Sequence, residues 1–214
     1  MVFLPDVPAI LLNIPIIVSL VAITRYMIGF KTWKNYPVIA LSLAYYFFYQ
    51  LLDSALFAVV LWLLFSLLTI GTAVATRYLI RRFKINYYAR VAVMYLGATF
   101  FSLIAMAVIA QTSYASIVSD HFFGIGVFLI ATTIDELATL LFKKDSQEFI
   151  RRLATTVVLS LFAGLLITWS TWNTFLAAHH EVLIFVLIVD AIVAFWSAVR
   201  FTELLRFGSI LKNQ

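Results

Sequence analysis

Seven long apolar runs, nearly free of charge, constrain this chain more than any other feature. A helix that crosses the hydrocarbon core of a bilayer needs about 20 mostly apolar residues. The runs cover residues 7–26, 36–51, 54–78, 91–110, 122–141, 153–172 and 182–205. Only 12% of the chain is charged, against roughly 25% in an average soluble domain. The sequence therefore predicts an all-α, polytopic membrane protein whose single domain, residues 1–214, is a bundle of seven transmembrane helices.

The basic residues predict how this bundle is oriented. All 15 Lys and Arg lie on one predicted side of the membrane, beginning with Arg25 at the end of the first run, whereas the other side holds acidic residues and the three His. Cytoplasmic loops of membrane proteins carry the Lys and Arg excess. The N-terminus is therefore predicted outside and the C-terminus in the cytoplasm. The net charge of +5 is explained by contact with anionic lipid headgroups of the bilayer, and no nucleic-acid partner is expected.

Several classes of protein are not favoured by the sequence. The first apolar run is expected to be a retained helix, because a cleaved signal peptide opens with basic residues and none precedes Arg25. The absence of Cys excludes disulfides, thiolate metal sites and Cys nucleophiles. The chain also lacks the Gly-x-Ser-x-Gly, His-Glu-x-x-His and phosphate-loop patterns. No catalytic residue and no cofactor is predicted.

Ionisable residues close to the apolar runs are the candidate functional residues, since a charge inside a bilayer is costly. Asp135 and Glu136 lie about two turns from the predicted cytoplasmic end of the fifth run. They form either an ion or proton site, or structural ion pairs with Arg25, Arg151 or Arg200 at a similar depth. Adjacent helical residues point about 100° apart, so at most one of the two faces a given partner.

The seventh run holds the other candidates. Asp190 lies deepest and has no Lys or Arg at its depth, so it is expected to be protonated, hydrogen-bonded or exposed to an aqueous cavity. Arg200, Glu203 and Arg206 follow at helical spacing. They form either a docking surface for a cytoplasmic partner or a self-paired helix end. The complete candidate cluster is Arg25, Asp135, Glu136, Asp190, Arg200, Glu203 and Arg206.

Two loops on the predicted outer side contain His beside acidic residues, at 120–121 and 179–181. Such side chains bind zinc or copper when loops converge, but solvated loop residues are the ordinary case, and no metal is predicted. Small residues within the runs, among them Gly71, Gly97 and Gly164, are interpreted as contacts between packed helices.

Two segments resemble a bacterial family of seven-transmembrane domains that are usually fused to an inactive transglutaminase-like domain. Arg25-Tyr-Met-Ile-Gly-Phe-Lys-Thr-Trp-Lys-Asn-Tyr-Pro37 is similar to the junction of the family's first two helices. Arg200-Phe-Thr-Glu203-Leu-Leu-Arg206-Phe207 resembles the Arg-Leu-x-Glu-x-x-Arg-Phe motif that closes its seventh helix. The 214 residues do not contain the transglutaminase-like domain.

This resemblance implies a function at the cytoplasmic (inner) membrane of a bacterium. Members of the family look like membrane partners of cytoplasmic ATP-grasp peptide ligases, which add glutamate or similar residues. By resemblance, the chain is expected to be a non-enzymatic scaffold or anchor. The residues that the resemblance places in its cytoplasmic-side core are Arg25, Glu136, Arg200, Glu203 and Arg206.

Two other functions stay open at this point. A small ion or solute transporter or channel would use the carboxylates of Asp190, Asp135 and Glu136 along a path through the membrane. An intramembrane enzyme would need a catalytic set, and none is recognisable in the sequence.

Overall fold

The structure, a computed structural model, describes residues 7–52, 54–80, 86–112, 115–142, 146–179 and 181–195. Within these ranges the chain is helical with short connections, and no β-strand is present. A π-helical turn, Ile23–Ile28, continues the first helix. The α-helices are α1 (Val7–Ala22), α2 (Asn35–Leu52), α3 (Ala55–Ile80), α4 (Tyr87–Ile109), α5 (Ala115–Val118), α6 (His121–Thr132), α7 (Ile134–Phe142), α8 (Ser146–Thr168), α9 (Ser170–Ala178) and α10 (Val182–Ala194).

The described part contains five stretches that are long and apolar enough to cross a membrane. They are Ile10–Ile28, Ala55–Leu79, Tyr87–Ile109, His121–Thr139 and Gln147–Thr168. Helices α9 and α10 meet at 95° and would add a sixth if they formed one broken span. The Tyr-rich α2 is not among these stretches. An all-helical chain with several membrane-length helices is thus confirmed, with five or six such helices where the sequence predicted seven.

Large apolar side chains cover the outside of these helices. Leu56 on α3, Leu96 on α4, Phe128 on α6 and Leu187 on α10 are each about two-thirds exposed or more. Soluble monomers rarely expose contiguous apolar surface on such a scale. This surface is consistent with a multi-pass protein whose helices contact lipid.

The fifth predicted run is broken where the sequence predicted one helix. Its break lies at Thr133, whose N–H and Oγ1 both donate to the carbonyl of Ile130, at 3.1 and 2.7 Å. Thr132 Oγ1 likewise donates to the carbonyl of Leu129 at 2.6 Å. Neighbouring Thr hydroxyls that bond nearby carbonyls compete with the regular helical pattern, so the helix is interrupted between α6 and α7.

The sixth predicted run, 153–172, ends at Thr168, and α9 begins after Trp169. Asn173 Nδ2 donates to the carbonyl of Ile167 at 2.6 Å, which occupies a backbone acceptor at the end of α8. The seventh run, predicted to reach residue 205, is helical over Val182–Ala194, and residues 196–205 lie outside the described residues.

The described chain divides into two compact units. The first unit comprises residues 1–39 and 150–214, and the second comprises residues 40–149. In the first unit, α1 packs against α9 and α10, and the π-helical turn also contacts α10. In the second unit, α3 packs against α4, α6 and α7, and α4 also contacts α5, α6 and α7.

A polar network joins α1 to α9 in the first unit. Asn13 is 1% exposed; its Nδ2 donates to Asn173 Oδ1 at 3.0 Å, and its Oδ1 accepts from Trp172 Nε1 at 2.9 Å. Side-chain hydrogen bonds between helices contribute about 0.6 kcal/mol each in membrane proteins. This network therefore fixes the short α9 beside α1.

An aromatic cluster forms the core of the second unit. Phe48, Phe65 and Phe123 are fully buried, with ring centroids 5.4–6.1 Å apart. Trp62, also fully buried, donates through Nε1 to the carbonyl of Leu41 at 2.8 Å, which connects α3 to α2. The two contacts together fix the register of α2 within this unit.

Candidate functional site

The predicted cluster falls into three parts. Arg25 and Asp190 belong to the first unit, and Asp135 and Glu136 belong to the second. The remaining members lie outside the described residues; these are Arg200, Glu203 and Arg206. Each described part is therefore considered by itself.

Asp135 lies in the first turn of α7 and is exposed. Its Oδ1 accepts a hydrogen bond of 3.2 Å from the hydroxyl of Tyr87, at the start of α4. The same hydroxyl lies 3.0 Å from Thr139 Oγ1, which donates to the carbonyl of Asp135 at 3.0 Å. The hydrogen bond from Tyr87 to Asp135 links α4 to α7.

Glu136, the next residue on α7, is buried whereas Asp135 is exposed. It is 5% exposed, lies between the buried Ile134 and Leu137, and takes part in an interaction within the protein. One carboxylate of the pair thus faces outward and the other inward, as the 100° step between helical neighbours predicts. A buried and engaged carboxylate favours a structural role.

Asp190 lies on α10, which packs against α1 and the π-helical turn. Its Oδ1 is buried and has no hydrogen-bond partner among the described residues. Buried polar atoms are nearly always hydrogen-bonded, and an exception calls for a specific explanation. Asp190 is therefore the candidate residue whose hydrogen-bonding capacity is not satisfied by the described contacts.

The loop residues considered for metal binding have other surroundings. Asp120 Oδ1 accepts from Phe122 N at 2.8 Å and so caps the N-terminus of α6. His179 Nδ1 lies 4.0 Å from Glu181 Oε2, and both side chains are mostly exposed. Among the described residues, no group of three or more His, Asp or Glu is arranged to hold a metal ion. His180 lies outside the described residues.

The π-helical turn gives Arg25 its setting. Thr24 Oγ1 donates to the carbonyl of Leu20 at 2.7 Å, while the carbonyl of Thr24 accepts from the N–H groups of Gly29 and Phe30 at 3.1 and 3.0 Å. Gly29 closes the turn with φ at 93°, a left-handed conformation that favours glycine. π-Helical turns are rare and are frequently found at functional sites.

The chain that follows this turn is attached to α8. The N–H of Trp33 donates to Thr156 Oγ1 at 3.0 Å, and both residues are buried. The attachment brings Arg152, on the first turns of α8, to the same pocket as Arg25 and Lys31. The three cations are far apart in sequence or on different elements, so the hydropathy pattern alone gave no indication that they share a pocket.

We call this space the basic pocket. It has a volume of about 220 Å³ and is lined by Arg25, Lys31, Thr32 and Arg152, together with Tyr26 and Phe30. The Arg25 guanidinium lies 5.7 Å from the centroid of the Tyr26 ring, a distance typical of a cation–π contact. Lys31 and Arg152 also take part in interactions within the protein. A pocket with three cations and no carboxylate among its described lining residues is suited to an anion.

No family, no curated protein and no solved structure matches this chain. The function proposed below therefore depends on the sequence pattern, on the resemblance described above and on the geometry of the two units.

Proposed function

We propose that this protein is a non-enzymatic scaffold of the bacterial cytoplasmic membrane that recruits a cytoplasmic partner, such as an ATP-grasp-type peptide ligase. In this proposal it has seven transmembrane helices, with the N-terminus outside and the C-terminus in the cytoplasm. The observation that carries the proposal is the confinement of all 15 Lys and Arg to one predicted side. That confinement creates a basic cytoplasmic face on which an acidic surface of a soluble protein can dock.

The proposal of seven spans requires α2 to cross the membrane. With 18 residues α2 is about 27 Å long, close to the roughly 30 Å of a hydrocarbon core. A span that packs against its neighbours tolerates Tyr and Ser better than one that faces lipid. The bond from Trp62 to the backbone of α2 and the burial of Phe48 support such packing.

The proposal also requires that α9 does not cross the membrane as a separate span. Its nine residues are about 14 Å long, too short to cross the hydrocarbon core. In the proposed topology α8 reaches the outer side, α9 lies there beside α1, and α10 begins the return to the cytoplasm.

The surroundings of the carboxylates favour a scaffold over an ion path. Asp135 is bonded to Tyr87, and Glu136 is buried and engaged. The basic pocket, which lies at the predicted cytoplasmic end of α1, has three cations and no acid among the lining residues that the structure describes. These contacts support the interpretation of the acidic pair as structural.

Co-purification tests the scaffold. The tagged protein, extracted in mild detergent, is expected to retain a cytoplasmic ATP-grasp enzyme that mass spectrometry identifies. The charge-swapped variant Arg206→Glu/Glu203→Arg is expected to lose that enzyme, since these residues close the helix that the resemblance places at the docking face.

The matched control is Glu181→Arg, which reverses an exposed charge on the predicted outer side. It is expected to keep the partner, because it lies on the side of the membrane opposite the docking face. Recovery of the wild-type protein alone, as a monodisperse particle, would contradict the scaffold.

A transporter or channel is the second candidate, and the unpartnered Oδ1 of Asp190 is the observation that favours it. Ionisable side chains within transmembrane helices mark ion pathways and proton relays. A scaffold does not require such a side chain.

Substitution of Asp190 distinguishes the two candidates. In a scaffold, Asp190→Asn is expected to keep both stability and the co-purified partner, because the amide has nearly the same shape. In a transporter, the same variant is expected to abolish ion or proton flux in proteoliposomes. A variant that loses flux yet folds normally would favour transport over the scaffold.

A further inference from the structure

We propose that the first unit binds a single anionic phospholipid, with the headgroup phosphate in the basic pocket and one acyl chain in an apolar groove beside it. This inference concerns a ligand of the protein itself and does not depend on the scaffold or on the identity of any protein partner.

The charge of the basic pocket identifies the headgroup. Arg25, Lys31 and Arg152 come from three places, namely the π-helical turn, the loop after it and α8, and they line one space. Phosphate oxygens bind Arg through paired, charge-assisted hydrogen bonds and bind Lys as a point charge. The pocket does not require these cations to be otherwise unpaired, because a phosphate group can share them with other acceptors.

A buried hydroxyl provides a second, independent indication of a ligand. Thr32 lines the basic pocket and is 2% exposed, yet its Oγ1 has no hydrogen-bond partner among the described residues. An unsatisfied buried hydroxyl costs about 1–3 kcal/mol. A rotation of the Thr32 side chain that turned this hydroxyl toward the pocket would let a phosphate oxygen accept its hydrogen bond and would remove that cost.

The apolar groove continues from the basic pocket. It has a volume of about 490 Å³ and is lined mainly by Ile28, Phe30, Val158, Leu159 and Phe162. This size is within the range of small-molecule sites. Phe30 lines both the groove and the basic pocket, so the two spaces adjoin.

The occupant must therefore be an amphiphile with an anionic head and an apolar tail. Val158, Phe162 and Phe30 are each at least half exposed, so the groove opens to the outside along α8 rather than into the interior. On a membrane-length helix that outside is lipid. A bilayer phospholipid meets both requirements, because its phosphate lies at the level of helix ends and its chains lie along the helix surface.

Lipid titration followed by native mass spectrometry tests this inference on the whole purified chain. The probes are phosphatidylglycerol and phosphatidylcholine with identical acyl chains. Each cation near an anionic lipid strengthens binding about fivefold. Wild-type protein is therefore expected to bind one phosphatidylglycerol saturably, about tenfold or more tightly than phosphatidylcholine. Equal and unsaturable binding of both lipids would overturn the inference.

Charge removal locates the headgroup. Arg25→Gln/Arg152→Gln is expected to weaken phosphatidylglycerol binding roughly 20-fold. Arg151→Gln is the matched control, since Arg151 is exposed on the same helix and lines neither space. Its effect is expected to stay within about twofold. If the double variant does not fold, Lys31→Gln replaces it, with an expected loss of about fivefold. Equal losses in the control and the pocket variants would overturn the site.

Filling the groove tests the acyl chain. Val158→Trp places a large side chain where the chain would lie, and it is expected to weaken phosphatidylglycerol binding without a change in charge. Ile150→Trp, at an exposed position of α8 outside both spaces, is the control. Unchanged lipid binding in Val158→Trp would remove the groove from the site.

Glycerol 3-phosphate separates a lipid from a free phosphate. It carries the charged part of the ligand without the chains. If it displaces phosphatidylglycerol at equal concentration, the site takes a soluble phosphate and the lipid inference is overturned. If it competes only at large excess, the chain contributes to binding as proposed.

Discussion

At the scale of single residues, glycine has two different functions in this chain. Gly97 allows close packing, because a Cβ built there would lie 3.2 Å from Thr76 Oγ1, on the neighbouring α3. The interpretation of Gly97 as a helix-packing contact is thereby confirmed. Gly71 has no other described heavy atom within 4 Å of an added Cβ, so the same interpretation was wrong there. Gly29 has the second function, since its left-handed φ closes the π-helical turn.

Gly29→Ala is expected to destabilise the protein by roughly 1–2 kcal/mol, because a side chain opposes the left-handed conformation. Thermal unfolding in detergent measures the change. Gly71→Ala is the matched control and is expected to be neutral or slightly stabilising, since Ala is the better helix former and the space is open. A Gly29→Ala protein as stable as wild type would mean that the turn has no need for glycine.

The candidate residues show what a sequence can and cannot give at this scale. The cost of an intramembrane charge was enough to select Asp190, one oxygen of which is buried and has no hydrogen-bond partner in the described part of the chain. It could not select Thr32, because a hydroxyl is unremarkable until its lack of a partner is known. The hydropathy pattern also could not predict that Lys31 and Arg152 line one pocket. That pocket forms because the loop after the π-helical turn packs on α8.

At the scale of helices, the hydropathy pattern predicted the presence of a helix better than it predicted where a helix is interrupted. A bilayer imposes length and apolarity on any helix that crosses it, so α3 and α4 follow closely from the sequence. The interruptions at Thr133 and Trp169 do not, since both lie in apolar surroundings that a hydropathy average cannot resolve. They arise from hydrogen bonds of Thr and Asn side chains to nearby carbonyls.

Packing of α6 in the second unit gives a prediction at this scale. A Cβ at Gly126 would lie 2.8 Å from Phe48 Cε1. Phe48 cannot easily yield, because Phe65 and Phe123 confine its ring. Gly126→Ala is therefore expected to destabilise the protein by about 1–3 kcal/mol, measured by thermal unfolding.

Two variants serve as controls for this prediction. Gly124→Ala lies on the same helix and meets no described heavy atom within 4 Å, so it is expected to leave stability unchanged. The smaller side chain of Phe48→Leu is expected to relieve the clash, so that Gly126→Ala costs less in that background. Equal effects of Gly126→Ala in both backgrounds would show that the contact with Phe48 is not the cause.

At the scale of the whole molecule, the proposed topology depends on α2. The five membrane-length stretches meet the length and hydropathy expected of a span, whereas α2, with five aromatic residues in succession, is not among them. If α2 crosses, Asn35 and Ser54 lie on opposite sides. If α2 lies on the membrane surface, both residues lie on one side. Every later helix then has the opposite orientation, so the basic residues no longer all lie on one side of the membrane.

Single-cysteine labelling decides this directly, because the chain has no native Cys. We expect a membrane-impermeant maleimide to label Ser54→Cys from outside and to label Asn35→Cys only after the membrane is opened. Ser119→Cys, in a loop predicted outside and exposed in the structure, is the positive control. Labelling of positions 35 and 54 from the same side would show that α2 does not cross the membrane and would overturn the seven-helix topology. Opposite labelling would place the C-terminal end of α1, the basic pocket and the proposed lipid at the cytoplasmic leaflet, where anionic phospholipid attracts basic residues.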